Sequence, residues 1–182
     1  SGTVSAVINS AIAGGIAKNT AGKVIISGDN TFTSTSIAVN AGYLNLRHNN
    51  ALGAAGTSLT TTISAGATME LENGITLPAT KAITANGTGV ANTGAIRNIG
   101  GSNAISANVV LGTTNVRVNS DGGTLTFPTM SGNTFNSIFG GEGSTVVSGI
   151  ISTTSGGLTK DGAGTLTLAG VNTFTGATNL IA

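Results

Sequence analysis

The sequence predicts an all-β chain wound as a β-solenoid, on three observations. Its composition suits many short strands and tight turns. Its apolar residues come in brief alternating bursts, and one stretch of the chain returns, without a gap, near the other end. Twenty-nine of the 182 residues are glycine, 7% are charged and 3% aromatic, and neither Trp nor Cys occurs. Low charge with a positive mean hydropathy argues against disorder, since disordered chains are charged and poor in apolar residues. Scarce aromatics and the lack of long helical apolar runs argue against a conventional globular core.

The alternating bursts are, in chain order, Val24-Ile25-Ile26, Tyr43-Leu44-Asn45-Leu46, Thr68-Met69-Glu70-Leu71, Asn108-Val109-Val110-Leu111, Asn115-Val116-Arg117-Val118 and Thr124-Leu125-Thr126-Phe127. Each is bounded by turn-forming residues such as Asn40-Ala41-Gly42, Asn73-Gly74, Asn86-Gly87 and Ser120-Asp121-Gly122-Gly123. Period-two alternation places Leu44 and Leu46 on one face, with Tyr43 and Asn45 on the other. The same rule turns Met69 and Leu71 inward and Glu70 and Glu72 outward. Strands this short need neighbours above and below, which stacked coils supply at about 4.8 Å per coil. A β-sandwich also uses short alternating strands. It is disfavoured by the missing aromatic core, the glycine content and the long-range repeat.

That repeat sets residues 14–33, GGIAKNTAGKVIISGDNTFT, against residues 156–175, GGLTKDGAGTLTLAGVNTFT. The offset is 142 residues, and the alignment reaches back to Thr3-Val4 against Thr145-Val146. Lys18/Lys160, Gly22/Gly164, Gly28/Gly170 and Asn30-Thr31-Phe32-Thr33 against Asn172-Thr173-Phe174-Thr175 are identical. Such an offset is too long for one coil and suits a super-repeat of roughly seven coils of about 20 residues. The expected organisation is one continuous solenoid over 1–182, with 3–144 one super-repeat and 145–182 the start of the next. Because solenoid ends are usually capped by polar residues, the chain reads as an excerpt of a longer array.

Residues 156–176 resemble the autotransporter-associated β-strand repeat, also called the passenger-associated transport repeat, whose pattern is approximately GGLxKxGxGTLxLxGxNxYxG. Gly156, Gly157, Leu158, Lys160, Gly162, Gly164, Thr165, Leu166, Leu168, Gly170, Asn172 and Gly176 match it, with Phe174 at the usual Tyr. The first copy departs at Thr20 and Ser34, where the pattern has glycine. Ala51-Leu52-Gly53 and Gly66–Leu71 are similar to segments that follow the motif in such proteins. The resemblance implies a right-handed parallel β-helix, a single elongated rod, in a secreted or surface-displayed bacterial passenger. Absence of cysteine agrees with secretion in an unfolded state.

Candidate chemistry is sparse. Seven basic and six acidic residues are scattered singly, without the basic stripe that a phosphate backbone requires. No apolar run approaches the roughly 18 residues of a membrane-spanning helix, and residues 1–20 lack the basic start of a signal peptide. Thiolate metal sites are excluded by composition. Glu70 and Glu72 are the one close carboxylate pair. With Arg47 or Lys81 they would form the kind of polar site that polysaccharide lyases and hydrolases need. The simpler reading makes them outward, solvated charges. Asp29, Asp121 and Asp161 lie in turns, where Asp is ordinary. His48 sits in the polar turn Arg47-His48-Asn49-Asn50 and has no triad partners.

Gly22-Lys23 lacks the rest of a phosphate loop, and Asn86-Gly87-Thr88 is a lone match to a glycosylation acceptor. Gly140-Gly141-Glu142-Gly143 and Asp161-Gly162-Ala163-Gly164 lack the periodic Asp of calcium-binding β-rolls. Pairs such as Thr31/Thr33/Thr35, Thr60/Thr62, Thr124/Thr126 and Thr165/Thr167 point the same way on a strand, as on some ice-binding solenoids, although their spacing does not follow a coil length. The expected function is therefore structural and non-catalytic: a shaft, stalk or adhesin segment that needs no cofactor. Its expected partners are neighbouring repeats, other copies stacked end to end, and a host-surface or glycan ligand. A polysaccharide-acting enzyme and an ice-binding solenoid are the alternatives.

Overall fold

The computed structural model describes residues 6–8, 15–32 and 36–181. Thr3, Val4, Gly14, Thr33, Ser34 and Thr35, invoked above, lie outside the described residues. The chain winds as a β-solenoid of three parallel sheets. The first has nine strands: Ala6–Ile8, Lys23–Ile26, Gly42–Leu46, Ala67–Leu71, Ile96–Asn98, Val116–Ser120, Ser137–Gly140, Leu158–Lys160 and Thr178–Leu180. Seven strands make the second: Ala17–Lys18, Ser36–Val39, Leu59–Ile63, Lys81–Ala85, Val109–Leu111, Met130–Ser131 and Ile151–Ser152. The third has five: Thr76–Leu77, Ser102–Ile105, Thr124–Phe127, Ser144–Val147 and Leu166–Leu168. Among the described residues every strand pairing is parallel, each strand lying against its counterpart one coil away.

All six runs expected as strands are strands, and alternation assigns their faces. In the first sheet, Val24, Leu44, Met69, Ile96, Val118 and Phe139 share one inward column. The second sheet contributes Ile83, Val109, Met130 and Ile151 in register, and the third contributes Phe127, Val147 and Leu168. Apart from Val24 and Leu168, which are half-buried, these side chains are buried, each stabilising the fold by about 1.5–3 kcal/mol. The narrow interior leaves room for few rings, and Phe127 and Phe139 stack at 6.3 Å between centroids. Where the third sheet has not yet begun, Phe32, Ala51 and Leu52 are buried in its place.

The interior is not apolar throughout. The inward column Ile26, Leu46, Leu71 continues as Asn98 and Ser120. Asn98 Nδ2 donates to Ser120 Oγ at 3.0 Å and to the Gly122 carbonyl at 2.8 Å. Asn103 Nδ2 donates to Asn98 Oδ1 at 2.6 Å, and Asn103 Oδ1 accepts from the Ile75 amide at 2.7 Å. These bonds satisfy a buried corner between the first and third sheets, as buried amides require.

Candidate charge ladder on the first sheet

The outward face of the first sheet carries Asn45, Glu70, Arg97, Asn119 and Gly140 in one register column. Glu70 was expected to be a solvated surface charge; it is fully buried. Its Oε2 lies 2.8 Å from Lys23 Nζ and accepts from Asn45 Nδ2 at 3.1 Å, while Oε1 accepts from Arg97 Nη1 at 3.1 Å. The burial has a physical cause: long basic side chains, Lys23 from two coils below and Arg97 from the coil above, fold over the carboxylate and take it out of water. Arg97 Nε then donates to Asp121 Oδ2 at 2.7 Å. Burial opposes the Arg97 charge, but Asp121 and Glu70 outweigh it and hold the guanidinium above its ordinary range.

Glu72 converges on the same cluster. Its Oε2 accepts from Arg47 Nε at 3.0 Å and from Asn45 Nδ2 at 3.2 Å. Arg47 is thus placed as the sequence suggested, whereas Lys81 is not. Lys81 lies on the second sheet, buried in the inward column beside Leu59, and donates to the Thr57 carbonyl at 2.5 Å. Asp121 and Asp161, read as ordinary turn residues, both accept from arginines. Arg117 makes a two-bond fork to Asp161, Nη1 to Oδ2 at 2.8 Å and Nη2 to Oδ1 at 2.7 Å. Those bonds hold the Asp161 carboxyl below the usual carboxylate value, against partial burial. This fork skips a coil: Gly140 lies between the two partners, and a Cβ there would collide with both. Glycine serves here for space, not for backbone conformation.

Each carboxylate in the ladder is held by a basic side chain of another coil. Such bonding fits a brace between coils better than a proton-transfer pair, which needs an oxygen free to exchange a proton with substrate. His48 is a turn residue, its Nδ1 accepting from the Asn50 amide at 3.1 Å, and Asp29 accepts from Asn50 Nδ2 at 2.8 Å. Asn86 Nδ2 is engaged by the Ile63 carbonyl at 2.8 Å.

The described threonine pairs do not stack on one another, as their spacing implied; they lie on different sheets or two coils apart, beside other small residues. Ser102, Thr124 and Ser144 form one outward column of the third sheet, and Ala104, Thr126, Val146 and Thr167 the next. On the second sheet Ser36, Thr60 and Ala82 align, beside Ala38, Thr62 and Thr84. Coil lengths differ, so no fixed spacing could align them: Ile26 pairs with Leu46, but Leu71 pairs with Asn98.

Lys81 gives a test of its own. Burial pushes its ammonium below the ordinary lysine range, and Lys18 shifts likewise. A lysine depressed in the fold binds fewer protons than in the unfolded chain, so stability rises as pH climbs toward the free-lysine value. Lys81→Met is expected to flatten that rise, since it removes a group that titrates differently in the folded and unfolded chain. Thermal unfolding of both proteins between pH 7 and 10 measures it.

The two copies of the internal repeat use the same contacts. Lys18 Nζ donates to the Thr20 carbonyl and Lys160 Nζ to the Gly162 carbonyl, residues one repeat offset apart. Asn30 Nδ2 donates to the Gly28 carbonyl at 3.1 Å, and Asn172 Nδ2 to the Gly170 carbonyl at 3.0 Å. Phe32 is buried in the core and Phe174 packs against it. The copies occupy different faces: the first runs from the second sheet to the first, the second from the first sheet to the third. The family model of the passenger-associated-transport-repeat matches residues 17–46 and 158–182. No curated protein and no solved structure matches the chain. Two stretches of this β-solenoid are thus matched by the passenger-associated-transport-repeat model, each a strand–turn–strand unit with the same lysine, asparagine and phenylalanine contacts.

Proposed function

We propose that this chain is a shaft segment of an autotransporter-type passenger, displayed at a bacterial surface, where it serves display or adhesion without catalysis. The observation that carries this reading is where the chemically capable residues are used. The repeat's lysines and asparagines tie turns, and Glu70, Glu72, Asp121 and Asp161 brace one coil to another, adjacent or next but one. What remains outside is a set of Ser, Thr and Asn faces suited to weak polar contacts with a host surface or glycan.

The test is to fuse the chain to an autotransporter barrel in a bacterial host. The fusion is expected to become accessible to added protease at the intact cell surface. Retention in the periplasm, while a known passenger on the same barrel is exported, would refute the reading.

A second reading, a polysaccharide lyase or hydrolase, draws on the convergence of Glu70, Glu72 and Arg47 around Asn45. Assays on acidic and neutral polysaccharides decide it. Cleavage abolished by Glu72→Gln would favour the enzyme; no cleavage is expected.

A further inference from the structure

Lys23, Asn45 and Glu70 lie on the outward face of the first sheet, in three successive coils. The register sets Lys23 against Tyr43 and Asn45 against Glu70. Lys23 therefore stands one coil before Asn45 and two residues earlier along the strand. One oxygen joins the three side chains: Glu70 Oε2 lies 2.8 Å from Lys23 Nζ and accepts from Asn45 Nδ2 at 3.1 Å. Tyr43 backs the amine, whose Nζ lies 5.3 Å from the ring centroid. Asn45 and Glu70 are fully buried. An amine, a carboxamide and a base thus meet in a site shielded from water.

On the far side of the carboxamide, Asn45 Oδ1 accepts from Arg47 Nε at 2.9 Å, a donor shared with Glu72. A cation at a carbonyl oxygen stabilises the negative charge that develops there when a nucleophile adds to the carbon. Glu70 Oε1 accepts from Arg97 Nη1 at 3.1 Å, which fixes the carboxylate in this pose. A brace between coils needs only charges of opposite sign. It does not need a carboxamide whose nitrogen is held by a base and whose oxygen is held by a cation.

We propose that Lys23 and Asn45 join through an amide bond between their side chains, a single reaction of the folded chain on itself. Glu70 is its proton carrier and Arg47 its oxyanion donor. A lysine amine becomes nucleophilic once an adjacent base takes its proton. The Lys23 ammonium gives one proton to Glu70 Oε2, and the Nζ lone pair adds to Asn45 Cγ, moving the carbonyl electron pair onto Oδ1. That pair returns as the Cγ–Nδ2 bond breaks. Nδ2 departs as ammonium, taking the two protons that Nζ loses, one of them handed across by Glu70. Glu70 ends as the carboxylate it began as, and nothing is oxidised or reduced. No oxygen has to be free for an outside substrate, because folding has already set both reactants on the same one.

The product is a covalent tie between neighbouring coils in a chain that has no cysteine. Closing that loop restricts the unfolded chain as a disulfide would, and the bond survives reducing conditions. The proposal goes beyond the shaft reading and stands without it.

Intact-mass spectrometry of the purified chain, after incubation at neutral pH, is expected to show a protein lighter than its sequence by one ammonia. Trypsin is then expected to leave the bond after Lys23 uncut. One peptide over residues 19–47 would carry the whole deficit, with fragment ions placing the link between Lys23 and Asn45. Lys23→Arg, which keeps a cation beside Glu70, and Glu70→Gln are each expected to retain the full mass. Full mass for the unaltered chain overturns the proposal, and that measurement stands whether or not either variant folds. The same deficit in Lys23→Arg, or its localisation to another asparagine, also overturns it. So does a Lys23–Asn45 link that forms equally fast in Glu70→Gln.

Discussion

Gly42→Ala is expected to destabilise the protein by about 3 kcal/mol, from two costs that add. A non-glycine residue in the left-handed region costs about 1–2 kcal/mol, and overpacking a closed site costs about 1–3 kcal/mol. Both apply, because φ at Gly42 is +66° and its Cβ position is walled by three carbonyl oxygens of the coil below. The strand it begins carries Asn45, which bonds both Glu70 and Glu72, so the damage spreads from the backbone to the ladder. Gly56→Ala is the control. A Cβ there meets nothing within 4 Å and the backbone is not left-handed, so its effect should stay within about 0.5 kcal/mol. Urea unfolding followed by far-ultraviolet circular dichroism compares them, and equal midpoints would contradict the close packing of successive turns.

Glu70→Gln is expected to cost about 2–3 kcal/mol. Removing one partner of a fully buried ion pair costs about 3–5 kcal/mol, but here the cations are partly wet. Lys23 is 37% exposed and Arg97 24%, so both regain some hydration once the carboxylate charge is gone. Glu142→Gln, in an exposed turn, is expected to change stability by less than about 0.5 kcal/mol. Unfolding midpoints at low and moderate salt distinguish the two. A Glu70→Gln midpoint equal to that of Glu142→Gln would mean that the ladder braces nothing.

The contrast between these residues shows what could be read from sequence. Alternation placed Leu44, Leu46, Met69 and Leu71 inward because a strand's side-chain period is two whatever it pairs with. It also placed Glu70 on the outer face, correctly, yet gave no hint that the carboxylate is buried. That burial depends on Lys23 and Arg97, which lie in other coils. Arg117 and Asp161 are further apart still and meet only because Gly140 between them has no side chain. The inward turn of Lys81 was likewise hidden, since its register with Leu59 is set by the neighbouring coil. The repeat motif was legible because its contacts are local: lysine to a carbonyl two residues on, asparagine to a glycine two residues back.

A cysteine-free chain allows the stacked register, on which the whole account depends, to be measured directly. Thr126 and Val146 are adjacent on the outer face of the third sheet, and Thr167 lies one coil beyond Val146. Neighbouring strands put their Cα atoms about 4.8 Å apart, within the range a disulfide spans, whereas two coils do not. Under mild oxidation the Thr126→Cys/Val146→Cys protein is expected to form an intramolecular disulfide, and the Thr126→Cys/Thr167→Cys protein to retain both thiols. Free thiols in the first, or bridging in the second, would contradict a solenoid in this register.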